Sequence, residues 1–275
     1  MDLFESGTKE LISPDEAKRL GFAIPDEDLI GYLDGEFVIP TNIGVGYKVF
    51  ELKDGKLYPP MVRNANNANT EIGVWIPAST PPVVGYTAKE HRPQVAAKGS
   101  KSNTLSFRPG WHLGKLPIAL QFIKKHNKKP MLYNGRFVWP SNLVWAKCYY
   151  SKDIDYQEAA MNYGKTKKGG FIHSRAGLPR LPKNGSYEYR TNPDPKTEAW
   201  IITGAMKVVD ILSFDEVDKI LTDNGITPPV VMTNDEIKKY RKKLKEAPVE
   251  IDENKMKELV CNVFNKLILE IANSN

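Results

Sequence analysis

Arg108, Trp111 and His112 fall within five residues, in the stretch Phe107-Arg108-Pro109-Gly110-Trp111-His112-Leu113-Gly114. No other segment of the 275-residue chain sets a guanidinium, an indole and an imidazole so close together. Pro109, Gly110 and Gly114 shape a turn, and a rigid turn can hold polar side chains out toward a ligand. Arginine offers a planar fork that matches a phosphate, and histidine offers a proton that moves near neutral pH. Trp111, flanked by glycine and Arg108, is expected at a pocket rim and partly exposed.

A second histidine lies in Gly170-Phe171-Ile172-His173-Ser174-Arg175, at the edge of a glycine-rich loop. His112 and His173 are therefore candidates for the acid and base of metal-independent RNA cleavage, with Arg175 or Arg190 holding the phosphate. That chemistry needs both imidazoles within about 7 Å of one phosphate position. The ordinary alternative is that both histidines are hydrogen-bonded turn residues. The chain has no G-x-x-x-x-G-K-[ST] phosphate loop, no dinucleotide fingerprint, no His-Glu-x-x-His and no Gly-x-Ser-x-Gly elbow. Its two cysteines, Cys148 and Cys261, lack metal-ligand spacing and read as reduced residues of an intracellular protein. No metal is expected.

Several elements must position these groups. Ser13-Pro14-Asp15-Glu16 starts a helix that stops at Gly21, and a second short helix is expected over Asp26 to Leu33. Gly46 to Leu52 alternates as a half-buried strand, and Asp54-Gly55 turns it back into Lys56 to Tyr58. Ile72 to Ile76 is another strand. Thr80 to Asn103, rich in Pro, Gly, Ser, Thr and Lys, reads as a long mobile loop. Leu105 to Leu113 reads as a strand running into the Arg-Trp-His turn, and the apolar spacing of Leu116 to Lys125 predicts a helix. Leu143 to Tyr150 and Ala199 to Leu212 are strong strand signals, the second interrupted by Gly204. Ser186 to Arg190 is a further strand. Helices are expected over Asp155 to Met161, after Ser213, and over Asp235 to Glu246. Glu253 to Asn273 carries an apolar stripe at helical spacing, which packs on the domain or on a second copy.

The resulting fold class is α+β, a twisted and mostly antiparallel sheet core with helical N- and C-terminal extensions. The expected division is a helical appendage over 1–40, a core over 41–225 and a helical extension over 226–275.

The formal net charge is +6, with lysines concentrated at Lys124-Lys125, Lys128-Lys129, Lys165 to Lys168 and Lys238 to Lys245. Such runs are either solvated faces or contacts to a polyanion, a nucleotide or nucleic acid. No apolar run reaches the roughly 18 residues of a bilayer span, so no membrane partner is expected. The acidic start, Met1-Asp2-Leu3-Phe4-Glu5, does not have the order of a signal peptide.

The strand Tyr47 to Leu52, the run Gly110-Trp111-His112-Leu113-Gly114 with Ala119 beyond it, and the late strand Ala199 to Val208 resemble the ADP-ribosyltransferase-like fold. The resemblance implies a nucleotide cleft lined by Arg108, Trp111 and His112, NAD as cofactor, and Glu198 as the first carboxylate of the late strand. Trp200 stands where that family has its catalytic carboxylate, and Tyr47 or Lys48 stands where its first strand carries a His or Arg that binds NAD. The stretches Tyr47 to Val62, Leu105 to Gly114, Phe171 to Leu181 and Tyr189 to Leu212 also resemble a domain of the multi-domain, polyvalent proteins of bacteriophages and mobile elements. That likeness implies a bacterial host's cytoplasm or a phage particle as the location. Three readings stay open: an active or degenerate ADP-ribosyltransferase-like module that binds a nucleotide or polyanion near Trp111 and His112, a ribonuclease using His112 and His173, and a non-enzymatic virion or interaction protein that docks through its terminal helices.

Overall fold

The computed structural model describes residues 11–22, 31–61, 69–80, 82–88, 92–96, 104–164, 177–190 and 199–246. The chain begins with β1 (Leu11–Ile12) and α1 (Pro14–Arg19). Ser13 caps α1 by accepting from the Glu16 amide, with Pro14 in the first turn. β2 (Ile43–Lys53) turns into β3 (Lys56–Tyr58) across Asp54-Gly55. Both turn residues have positive φ, 49° and 71°, which matches the twist of the flanking strands. β4 (Trp75–Pro77) follows.

Within the span 80–103 expected as a loop, residues 83–87 and 93–96 are strands instead. β5 (Val83–Thr87), β6 (Pro93–Ala96) and β7 (Thr104–Ser106) build a four-stranded sheet in the order β1-β5-β6-β7. Tyr86 and Val95 are buried in it, and Phe22, after α1, meets the Tyr86 ring edge-on. A few buried side chains outweigh the surrounding Pro, Gly and Lys, because strand pairing satisfies the backbone whatever the exposed residues are. The expected appendage is thus tied to the core through β1. It is tied again through Tyr32, whose hydroxyl accepts from the Asn184 amide at 2.7 Å. Residues 31–33 are not helical, and 23–30 lie outside the described residues.

β8 (Trp111–Gly114) starts at Trp111, so Trp111 and His112 are strand residues that follow the turn. The helix expected over 116–125 is a single 3-10 turn, Leu120–Phe122. Leu116, Ile118, Ala119 and Ile123 instead drop singly into the cluster around Trp139 and Trp145. Helical spacing in a short apolar run does not distinguish a helix from an irregular buried segment.

Two tight hairpins come next. β9 (Lys125–His126) pairs with β10 (Lys129–Pro130), and β11 (Leu132–Tyr133) pairs with β12 (Arg136–Pro140). Then come β13 (Leu143–Ser151), β14 (Ile154–Asp155), α2 (Gln157–Gly164), β15 (Gly185–Arg190), β16 (Ala199–Thr203), β17 (Ala205–Leu212) and α3 (Phe214–Asp223). Ser213 and Glu216 close a reciprocal capping box on α3, worth about 1 kcal/mol. β18 (Val230–Met232) runs parallel to β12, and α4 (Asn234–Glu246) packs Ile237 against Met131, Val138 and Met232. The expected helix over 253–273 lies outside the described residues.

The main sheet has the order β14-β15-β16-β8-β2-β13-β17-β4, with β3 paired to β2. Its pairs are antiparallel except β14 with β15. Among the described residues, strand far outweighs helix, and the class is α+β with mixed sheets. Alternation divides the core between the two faces of the sheet. Phe50, Leu113, Ala146, Cys148 and Met206 lie on one face around Trp111. Val49, Trp145 and Leu212 lie on the other beneath α3, and Ile202, Tyr187 and Tyr189 lie beside α2.

Candidate functional site

Strand alternation splits the Arg-Trp-His trio. Trp111 shares its face with Leu113, and His112 points to the opposite face. Trp111 is 8% exposed and its indole N–H donates to the Ile76 carbonyl at 2.9 Å. The indole expected at a pocket rim is therefore a core residue, with its one polar atom satisfied by β4. His112 packs its ring 6.4 Å from that of Trp200, and its Nε2–H donates to the Arg108 carbonyl at 3.0 Å. A carbonyl only accepts, so Nε2 carries the proton and Nδ1 does not. Burial pulls the His112 pKa down to about 4. Lys48 and Arg108 push in the same direction, and the bond to the Arg108 carbonyl opposes them. An imidazole with that pKa is poorly matched to proton transfer near pH 7.

Arg108 lays its guanidinium over the Tyr189 ring, 4.4 Å from the centroid, rather than toward a phosphate. Tyr47 is half-buried, packs against the cluster beneath α3, and stands in register with Gly114 and Lys147. Trp200, at the position where the resemblance places a catalytic carboxylate, packs beside His112 and against the clusters of α2 and α3. Arg190 ends β15, its backbone in register with Ala199. Glu198, His173 and Arg175 lie outside the described residues.

Lys48 is a second unusual group. Its ammonium donates to the His112 carbonyl at 3.1 Å and stands 5.2 Å and 5.7 Å from the Trp111 and Phe50 ring centroids. Burial pulls its pKa down to about 8, and the nearby Cys148 thiol offsets part of that. Burial likewise pushes Cys148 up to about 12, which makes it an inert thiol.

A groove of about 380 Å³ lies elsewhere, at the open end of β2 and β13. Lys124, Lys125 and Arg241 line it, together with Glu51, Phe122 and Asn142. Its volume is in the range of small-ligand sites. Three elements build it. The 3-10 turn delivers Phe122 and then Lys124. The β9–β10 hairpin fixes Lys125. α4, anchored by Ile237 and by the Tyr240 hydroxyl donating to the Leu132 carbonyl at 2.5 Å, swings Arg241 in until its Nη2 donates to the Lys125 carbonyl at 3.0 Å. The lining holds two more cations than carboxylates. Burial and the Arg241 charge both lower the Lys124 pKa, so the two cations repel. The buried side-chain oxygen of Asn142 has no hydrogen-bond partner.

The lysine runs that meet here are visible in the sequence, but their meeting is not. It depends on β18 pairing with β12, a contact between residues some ninety positions apart. Among the described residues, no group of three or more His, Cys, Asp or Glu is gathered for a metal ion, and no helix is long and apolar enough to cross a membrane. No family model, no curated protein and no solved structure matches this chain.

Proposed function

We propose that this protein binds a nucleic acid by its phosphates, through the groove between the β9–β10 hairpin and α4. The observation that carries the reading is the convergence of Lys124, Lys125 and Arg241, from two basic runs over 110 residues apart, on one concavity. Two crowded cations are relieved by an anion between them, which offsets the Arg241 repulsion that helps lower the Lys124 pKa.

The test is the salt dependence of binding to a labelled oligonucleotide, followed by fluorescence anisotropy between 50 and 200 mM salt. Lys124→Glu and Arg241→Glu are expected to weaken binding at least tenfold and to flatten the slope of log K against log salt by one or more, since each removes a phosphate contact. Unchanged affinity and slope in both variants would overturn the groove as the seat.

A further inference from the structure

The main sheet has a second surface that the groove does not involve. Val45, Tyr149, Lys207 and Trp75 stand in register across β2, β13, β17 and β4. Val45 lies four residues along β2 from Val49, which is beneath α3. At this end of the face Val45 and Ile43 are each 49% exposed, and Tyr149, Lys207 and Trp75 are partly exposed. The Lys207 ammonium sits between the two rings, 5.8 Å from the centroid of Tyr149 and 5.6 Å from that of Trp75. Lys207 makes no ion pair among the described residues. Two residues along β13 on the same face is Lys147, flanked in register by Tyr47 and Asp210.

Apolar and aromatic area of this kind, interleaved with lysines, is an expensive surface to leave wet and points to a ligand with flat faces and negative charge. Tyr149 and Trp75 are carried on strands two places apart, about 10 Å by ordinary strand spacing. That separation lets two rings serve two bases splayed from an extended backbone, whereas a duplex keeps its base faces covered. We infer that this face of β2, β13, β17 and β4 is a seat for single-stranded nucleic acid, with bases stacked on Tyr149 and Trp75 and with Lys207 and Lys147 at the phosphates. Asp210 opposes Lys147 and leaves Lys207 as the dominant charge of the row.

The experiment uses the full chain, a labelled 12-nucleotide oligothymidylate, a duplex of equal length and heparin. Oligothymidylate is expected to bind more tightly than the duplex. Tyr149→Ala and Trp75→Ala are each expected to lower its affinity fivefold or more, and Tyr149→Phe and Trp75→Phe, which keep a ring, should retain it. Heparin retention should follow the groove variants Lys124→Glu and Arg241→Glu and ignore the ring variants. Loss of oligothymidylate binding in the ring variants alone would leave this seat standing and remove the groove; loss in the groove variants alone would do the reverse. Parent-like affinity in both alanine variants, equal binding of single strand and duplex, or binding of a β-linked oligosaccharide in place of oligothymidylate would each overturn the inference.

Discussion

The ammonium of Lys48 donates to the main-chain oxygen of His112 across the gap where β2 and β8 part. The two strands share a single registered pair, Tyr47 with Gly114, and beyond it the lysine serves where a ladder bond would. A part-buried cation is an expensive substitute. With its pKa lowered from 10.5 to about 8, Lys48 opposes folding fully below pH 8, and that penalty fades as pH rises from 8 to 10.5, because the native state gives up its proton first. Lys48→Met removes the charge and keeps the stem, at the loss of one hydrogen bond. It should be more stable than the parent at pH 7 by about 2 kcal/mol, with the margin shrinking by pH 9.5. Urea unfolding at the two pH values checks this; a gap that does not move with pH would assign it to packing alone.

His112 sets the acid limit. Its pKa falls from 6.5 to about 4 on folding, so the unfolded chain binds a proton that the folded chain refuses in that interval. Stability should therefore be complete above pH 6.5 and should drop by up to about 3 kcal/mol as pH falls to 4. His112→Gln should flatten this stretch of the pH–stability curve. A variant that retains the full slope would transfer it to other groups.

Trp111→Phe tests the burial of the indole. The substitution keeps a ring in the core and deletes the donor to Ile76. The expected loss is about 1 to 2 kcal/mol in denaturant unfolding, with oligonucleotide affinity unchanged. A drop in affinity without a drop in stability would return Trp111 to a binding role.

Gly185 begins β15 and stands in register with Ile154, the first residue of β14. A Cβ there would run into the Ile154 carbonyl, which is backbone and cannot rotate aside. Gly185→Ala is expected to cost about 2 to 3 kcal/mol, measured as a shift in the urea midpoint at constant slope.

Local signals in the sequence translated directly into structure. Ser13 and Ser213 cap their helices, Asp54-Gly55 turns its hairpin, and the strand over 143–150 forms as its β-branched and aromatic content requires. Two apolar segments did not. Leu116 to Ile123 has helical spacing because it plugs several pockets of one cluster, and Val83 to Ala96 hides its strand pattern among prolines and polar residues. The candidate site was legible only as ingredients. Arg108, Trp111 and His112 are neighbours in sequence, but a two-residue period sends adjacent side chains to opposite faces, so proximity along the chain disperses them. Lys124 and Arg241, far apart in sequence, are brought together by α4 packing on Met131 and Val138.

Among the described residues, the broad sheet stops on one side at β14, with two residues, and on the other at β4, with three. Free main-chain groups on the two stubs themselves give an incoming chain too few anchors to zip onto. Crowding should accordingly not seed filaments by edgewise annealing through β14 or β4.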